Sequence, residues 1–345
     1  MAPLRLPRPL QQRLNAMAAD LMSAPGLEVD FSQPAGAAAL VPPDSISWRI
    51  FKNPVSLYIG GVAAVLLELA EPRVRSGVWD HTSFRTDPVM RLRRTGLAAM
   101  VTVYADRATA ERMIAGVNRR HARITGTADD GAAYAADDPE LLDWVQATAS
   151  FGFIGARHRF VAPLSPADRD RAWAEAARAA ALYGARNSPA SEADWARALA
   201  AMEPKLGPSP VLGEFLAIMR GAPALPSAGR LAQPLLIRAA VDLLPERLQS
   251  KLGLAGQGLS PLERPLVRAL GAAADRLVLD SAPPAQACVR MGLPADWLYQ
   301  ERESSAGGGC GLTLQRRSPT LPAWLATRSP QSGTPMLAST GRRAT

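Results

Sequence analysis

The chain's three histidines, His81, His121 and His158, fall in one stretch, so any imidazole chemistry is confined to it. Ala110, Met113, Ile114 and Val117 form one apolar stripe at helical spacing, and His121 lies four residues beyond Val117 on that face, so it points inward. An inward imidazole among apolar side chains needs a partner. The choices are a hydrogen-bonded core group, a proton to exchange as a general base, or a metal ion. Arg91, Arg94 and Thr95 stand at i, i+3 and i+4, which puts two guanidinium groups and a hydroxyl on one helix face. On an isolated helix that triplet would be a solvated face or a pair of structural ion pairs. Here the helix continues as Leu97, Ala98, Ala99, Met100, Val101 and Val103, an apolar run that predicts burial. Buried arginines call for anions, and internal acids such as Glu68, Glu71 and Asp80 are candidates alongside a ligand's carboxylates.

The elements that must position these groups are helical. Of 345 residues 48% are hydrophobic and only 6% aromatic, alanine recurs throughout, and strand-forming clusters are scarce, so an all-α protein is expected. An N-terminal arm and loop, 1–47, carries Gly26, Pro34, Gly36, Pro42 and Pro43; a helical domain follows over 48–302. Pro54 opens an apolar helix toward Glu68, with Gly60 and Gly61 inside it where a close neighbour or a flat ligand needs room. Further helices are predicted over 11–21, 88–104, 107–124 (with Asp106 as N-cap), 139–159, 166–183, 192–202, 211–219, 231–244 and 262–279, and a polar loop over 129–136. The run 57–70 is interrupted by Glu68 and falls short of the roughly 20 residues that span a bilayer, so it reads as a buried core helix.

Charge and cysteine narrow the function. The net charge is +8, yet after Glu303 there is no acid and there are five arginines, so the segment 303–345 is expected to be a disordered basic tail, a solubilising end that touches an acidic lipid surface at most. The body carries no basic stripe interleaved with aromatics, which argues against specific nucleic-acid binding. Cys288 and Cys310 form neither a disulfide framework nor a zinc site. No Glu-x-x-His pair of the di-iron bundle type is present. The first residues carry Arg5, Arg8 and three prolines with no apolar run behind them, so a cytoplasmic location is expected.

In order, the chain reads Tyr58-Ile59-Gly60-Gly61 through Leu66-Leu67, Gly77-Val78-Trp79-Asp80-His81-Thr82-Ser83-Phe84, Arg91-Leu92-Arg93-Arg94-Thr95, and His121-Ala122-Arg123-Ile124-Thr125-Gly126. It goes on with Asp130-Gly131, Tyr134-Ala135-Ala136-Asp137-Asp138-Pro139 and Leu142-Asp143-Trp144-Val145. Any one of these motifs is weak, but their order and spacing over 58–183 resemble the oxygenase domain shared by latex clearing protein, a bacterial rubber oxygenase, and the fungal MpaB oxygenases.

The resemblance implies an all-α, globin-like core that holds haem b and cleaves carbon–carbon double bonds of isoprenoid chains with dioxygen. It implies that His121 is the proximal iron ligand and that Arg91 and Thr95 lie near the haem. Arg94 stands where latex clearing protein has a lysine able to cap the iron; a guanidinium has no free lone pair, so Arg94 is expected to donate hydrogen bonds instead. Latex clearing protein also uses a glutamate as a base upstream of this helix, and Glu71 is the candidate here. Many relatives have His-Pro where this chain has Glu71-Pro72, and a histidine where Gln146 stands. The expected function is a haem-dependent oxygenase acting on a small lipophilic, isoprenoid-like unsaturated substrate; the alternative is a helical haem- or lipid-binding protein of the same fold without turnover.

Overall fold

The computed structural model describes residues 3–21, 28–225 and 227–300; the expected basic tail at 303–345, with Cys310, lies outside them. A repeated local device starts most helices. A side-chain acceptor caps the first amides, and where proline follows, its fixed φ enters the helix at no hydrogen-bond cost. Asn53 accepts from the Val55 and Ser56 amides ahead of Pro54, Asp87 from Met90 ahead of Pro88, Asp138 from Glu140 ahead of Pro139, and Ser165 from Asp168 ahead of Pro166. Asp106 caps the next helix by accepting from Thr109.

The resulting order is α1 (Arg8–Leu21), α2 (Ile46–Phe51), α3 (Pro54–Ala70), α4 (Pro72–His81), α5 (Pro88–Tyr104) and α6 (Arg107–His121). A hairpin of β1 (Thr125–Thr127) and β2 (Ala133–Ala135) comes next, then α7 (Pro139–Phe160), α8 (Pro166–Leu182), α9 (Glu192–Met202) and α10 (Pro210–Gly221). The chain continues through α11 (Ser227–Arg230), α12 (Gln233–Leu243), α13 (Glu246–Lys251), α14 (Glu263–Ala274) and α15 (Pro283–Arg290). The protein is all-α apart from the hairpin.

The centre is the crossing of α3 and α7. Trp144 Nε1 donates to the Leu67 carbonyl at 3.2 Å near one end, and Gly60 meets Gly152 further along, so the two helices run antiparallel. A Cβ on Gly152 would come within 2.2 Å of the Gly60 carbonyl oxygen, and one on Gly60 within 2.6 Å of that of Gly152. Gly60 therefore serves a close neighbour. At Gly61 a Cβ would meet nothing within 4 Å, so that glycine faces open space.

The N-terminal arm is part of the body, not a separate element. Leu4 bridges to Leu277, Gln11 donates to the Val278 carbonyl at 2.7 Å, and buried Arg290 donates to the carbonyls of Ala37 and Phe31. Asp275 joins α2, α3, α7 and α14: it pairs with Lys52 at 3.3 Å and with Arg157, and accepts from Asn53 at 3.2 Å. That cluster stops α14 at Ala274, short of the expected end at 279.

Two other expectations change. The helix expected over 107–124 ends at His121, and the loop expected over 129–136 contains a strand. The cause is Tyr134, whose buried ring lies so close over Gly126 that a Cβ there would approach the phenol oxygen at 2.5 Å. No single described helix is long and apolar enough to cross a membrane; α3 and α4 together pass on length and composition but bend by 111°.

Candidate functional site

Most of α3 is buried, and from Tyr58 onward its half-buried positions are Tyr58, Gly61, Val65 and Glu68. Steps of three, four and three residues put them on one face. Glu68 lies at the far end of that face. Burial pushes its carboxyl pKa up to about 7, although the Arg91 guanidinium and the Thr148 hydroxyl, 3.5 Å away, pull it down. At the other end the Tyr58 hydroxyl is buried without a partner, and burial raises its pKa.

From α5, Arg91 answers Glu68. Its Nη1 donates to Thr95 Oγ1, which in turn donates to the Arg91 carbonyl at 2.9 Å, so a hydroxyl one turn on steadies the guanidinium. Burial lowers the Arg91 pKa and Glu68 opposes that shift. Of the acids that sequence offered to the arginines, Glu68 is the one whose charge Arg91 feels. Arg93 turns to Asp20 on α1 at 2.7 Å, and Arg94 is exposed.

His121 closes α6. Its Nδ1 is buried with no hydrogen-bond partner, and its pKa is lowered by burial first and then by Arg91, against an upward pull from Asp137. The ring is therefore neutral at neutral pH, the form that offers a lone pair to a metal. The other histidines are engaged: His158 Nδ1 accepts from the Leu164 amide at 2.9 Å, and His81 Nε2 lies 3.1 Å from the Tyr134 hydroxyl.

Glu71 does not join this group. It is 1% exposed, caps α4 by accepting from Val74 N at 2.7 Å, and pairs with Arg73 at 2.7 Å, so both oxygens are occupied. The bend between α3 and α4 makes Glu71 a cap here, with both oxygens held by these contacts. Three residues earlier, Glu68 remains on the open face. Tyr58 and Thr148 went unassigned in sequence, and Glu68 was offered there only as an anion for the arginines, although the spacing of Tyr58, Gly61, Val65 and Glu68 was there to be seen. A separate cleft lined by Arg159, Arg238, Asp242 and Arg264 contains none of these residues, and its arginines pair with Asp242 or Glu263. Among the described residues no three His, Cys, Asp or Glu side chains could hold a metal ion by themselves.

Comparison with known families identifies the all-α scaffold as that of an oxygenase domain. The family model described as ER-bound oxygenase mpaB/B'/Rubber oxygenase, catalytic domain, matches residues 48–276, about two-thirds of the chain. The chain belongs to that family, which is one of oxygenase catalytic domains. No curated protein and no solved structure matches.

Proposed function

We propose that this protein is a haem b-dependent oxygenase that acts with dioxygen on a lipophilic, isoprenoid-like unsaturated substrate. The observation that carries the reading is the buried, unpartnered Nδ1 of His121, whose ring feels the same Arg91 charge that acts on Glu68. These residues fit a haem. A neutral imidazole on α6 would be an iron ligand and Arg91 a donor for a propionate, and Gly61 sets no side chain on that face of α3, an added Cβ there meeting nothing within 4 Å. When bound, haem supplies the activation of dioxygen needed to cleave a carbon–carbon double bond.

The remaining work belongs to the chain. Glu68, with a pKa of about 7, holds or gives up a proton at its carboxyl near neutral pH and is the base, in place of Glu71. Thr95 keeps the Arg91 guanidinium oriented. Arg94, whose guanidinium has no free lone pair, donates to anionic or oxygen acceptors and is not a metal ligand. The apolar helices α3 and α7 exclude water from the chemistry.

Absorption spectroscopy on protein purified with haem supplied tests the reading. The wild type is expected to show a Soret band and His121→Ala to lack it; a colourless wild type under those conditions would sink the proposal. Oxygen uptake with a panel of unsaturated lipids then separates enzyme from carrier, since a haem- or lipid-binding protein of the same fold binds without consuming oxygen.

A further inference from the structure

Helix α14 turns an apolar side outward. Leu262, at its N-terminus, and Leu266 and Leu270 follow one another every four residues and are 85%, 58% and 39% exposed. Val267 and Gly271 form its buried face, and a Cβ on Gly271 would come within 2.2 Å of the Phe160 carbonyl oxygen, so the helix cannot roll its leucines inward. Pro261, Pro265 and Ala269 are exposed too and widen the apolar surface.

Arg268 lies exposed beside this stripe, and the exposed Glu246 acts on Arg264. Glu263 pairs with Arg238, Asp242 with Arg159 and Arg264, and Asp275 with Lys52 and Arg157, so these acids are committed within the fold. Arg268 is exposed, and its one described hydrogen bond runs from Nε to the Arg159 carbonyl at 3.2 Å, which leaves the terminal nitrogens for another acceptor. Leucines at the headgroup boundary with a guanidinium beside them are what an anionic lipid surface accommodates.

Two other occupants fit less well. A second copy packed stripe to stripe would set one cationic flank against another, with those acids already paired. The segment 304–345 of the same chain has five arginines and no acid, and would add charge of the same sign.

We propose that α14 docks this protein on an anionic lipid surface, with Leu262, Leu266 and Leu270 entering the headgroup boundary and Arg268 pairing with lipid charge. The opposite, buried face of α14 packs at the start of α3, where Asn53 donates to the Gly271 carbonyl at 2.9 Å. Tyr58, the first residue of the open face, follows five residues later.

Sedimentation of the full chain with vesicles of phosphatidylcholine, with and without phosphatidylserine, tests the docking. Binding is expected to require phosphatidylserine and to weaken with salt. Leu266→Glu combined with Leu270→Glu should weaken it by about tenfold or more, and Arg268→Glu should remove the preference for phosphatidylserine. All three changes are at exposed positions, so an unaltered circular dichroism spectrum and melting temperature are expected to accompany the loss. The proposal fails if the wild type does not bind phosphatidylserine vesicles or if the double variant binds as well as the wild type. It fails equally if the stripe is found holding two copies together in solution, which size-exclusion chromatography with light scattering would reveal as a dimer broken by the double variant. Vesicle binding needs neither haem nor dioxygen, so its failure leaves the oxygenase reading standing, and a colourless protein that still binds vesicles counts against that reading alone.

Discussion

His121 at the end of α6 lies within reach of the charge of Arg91 on α5: burial first, and then that guanidinium, hold the imidazole below its ordinary pKa. The same guanidinium pulls the Glu68 carboxyl down while burial drives it up to about 7. Burial thus lowers the imidazole pKa with that cation's help and, against that cation's pull, raises the Glu68 carboxyl to about 7.

His121→Ala removes a buried nitrogen that has no partner in the protein. The haem-free variant is expected to melt within a few degrees of the wild type, because little native hydrogen bonding is lost. With haem supplied, the wild type is expected to gain a Soret band and a higher melting temperature, and the variant to gain neither.

Glu68→Gln tests the carboxyl. In the folded protein the pKa is raised from 4.5 to about 7, so between those values the folded state holds more protons than the unfolded one. Stability therefore falls as pH rises from 4.5 to 7 and levels off above. The glutamine variant should lose that part of the pH dependence in denaturant titrations, and oxygen uptake should lose its rising limb near pH 7.

Glu71→Ala provides the contrast. Loss of the α4 cap is expected to cost about 1 kcal/mol in stability, with Arg73 keeping Glu140 as its partner. Oxygen uptake per folded molecule should stay within about twofold of the wild type, a change of less than 1 kcal/mol in the barrier. A loss as deep as that of Glu68→Gln would restore Glu71 as the base.

The two glycines of α3 should behave in opposite ways. Gly60→Ala forces a methyl into the Gly152 carbonyl and is expected to cost about 3 kcal/mol or to prevent folding. Gly61→Ala adds a methyl to open space and should stabilise the haem-free protein by about 0.5–1 kcal/mol through helix propensity. If that space belongs to the flat ligand, Gly61→Ala should also weaken haem retention, measured by transfer to an apo-acceptor protein.

Asp275→Asn leaves Lys52 and Arg157 enclosed without their shared anion. A loss of about 3–5 kcal/mol in unfolding free energy is expected. Because the Asp275 pKa is held below 3.8, its contribution is present above that value and disappears as the wild type is taken to lower pH.

Much of this molecule was determined locally. Asn53-Pro54, Asp87-Pro88 and Asp138-Pro139 start helices because a short acceptor and a fixed φ satisfy the first amides without help from distant residues. Helical spacing likewise put His121 on the apolar side of its own helix and Arg91 with Thr95 on one face, because those relations arise within one element. Tertiary structure decided what depends on the neighbour across the gap. Gly60 and Gly61 look alike in sequence until α7 lies against only one of them. Glu68 and Glu71 differ by three residues, and the bend between α3 and α4 makes one a titrating carboxyl and the other a cap. The leucines of α14 would read as core until Gly271 locks that helix with its other face inward, since burial belongs to a pair of packed surfaces and not to a residue type.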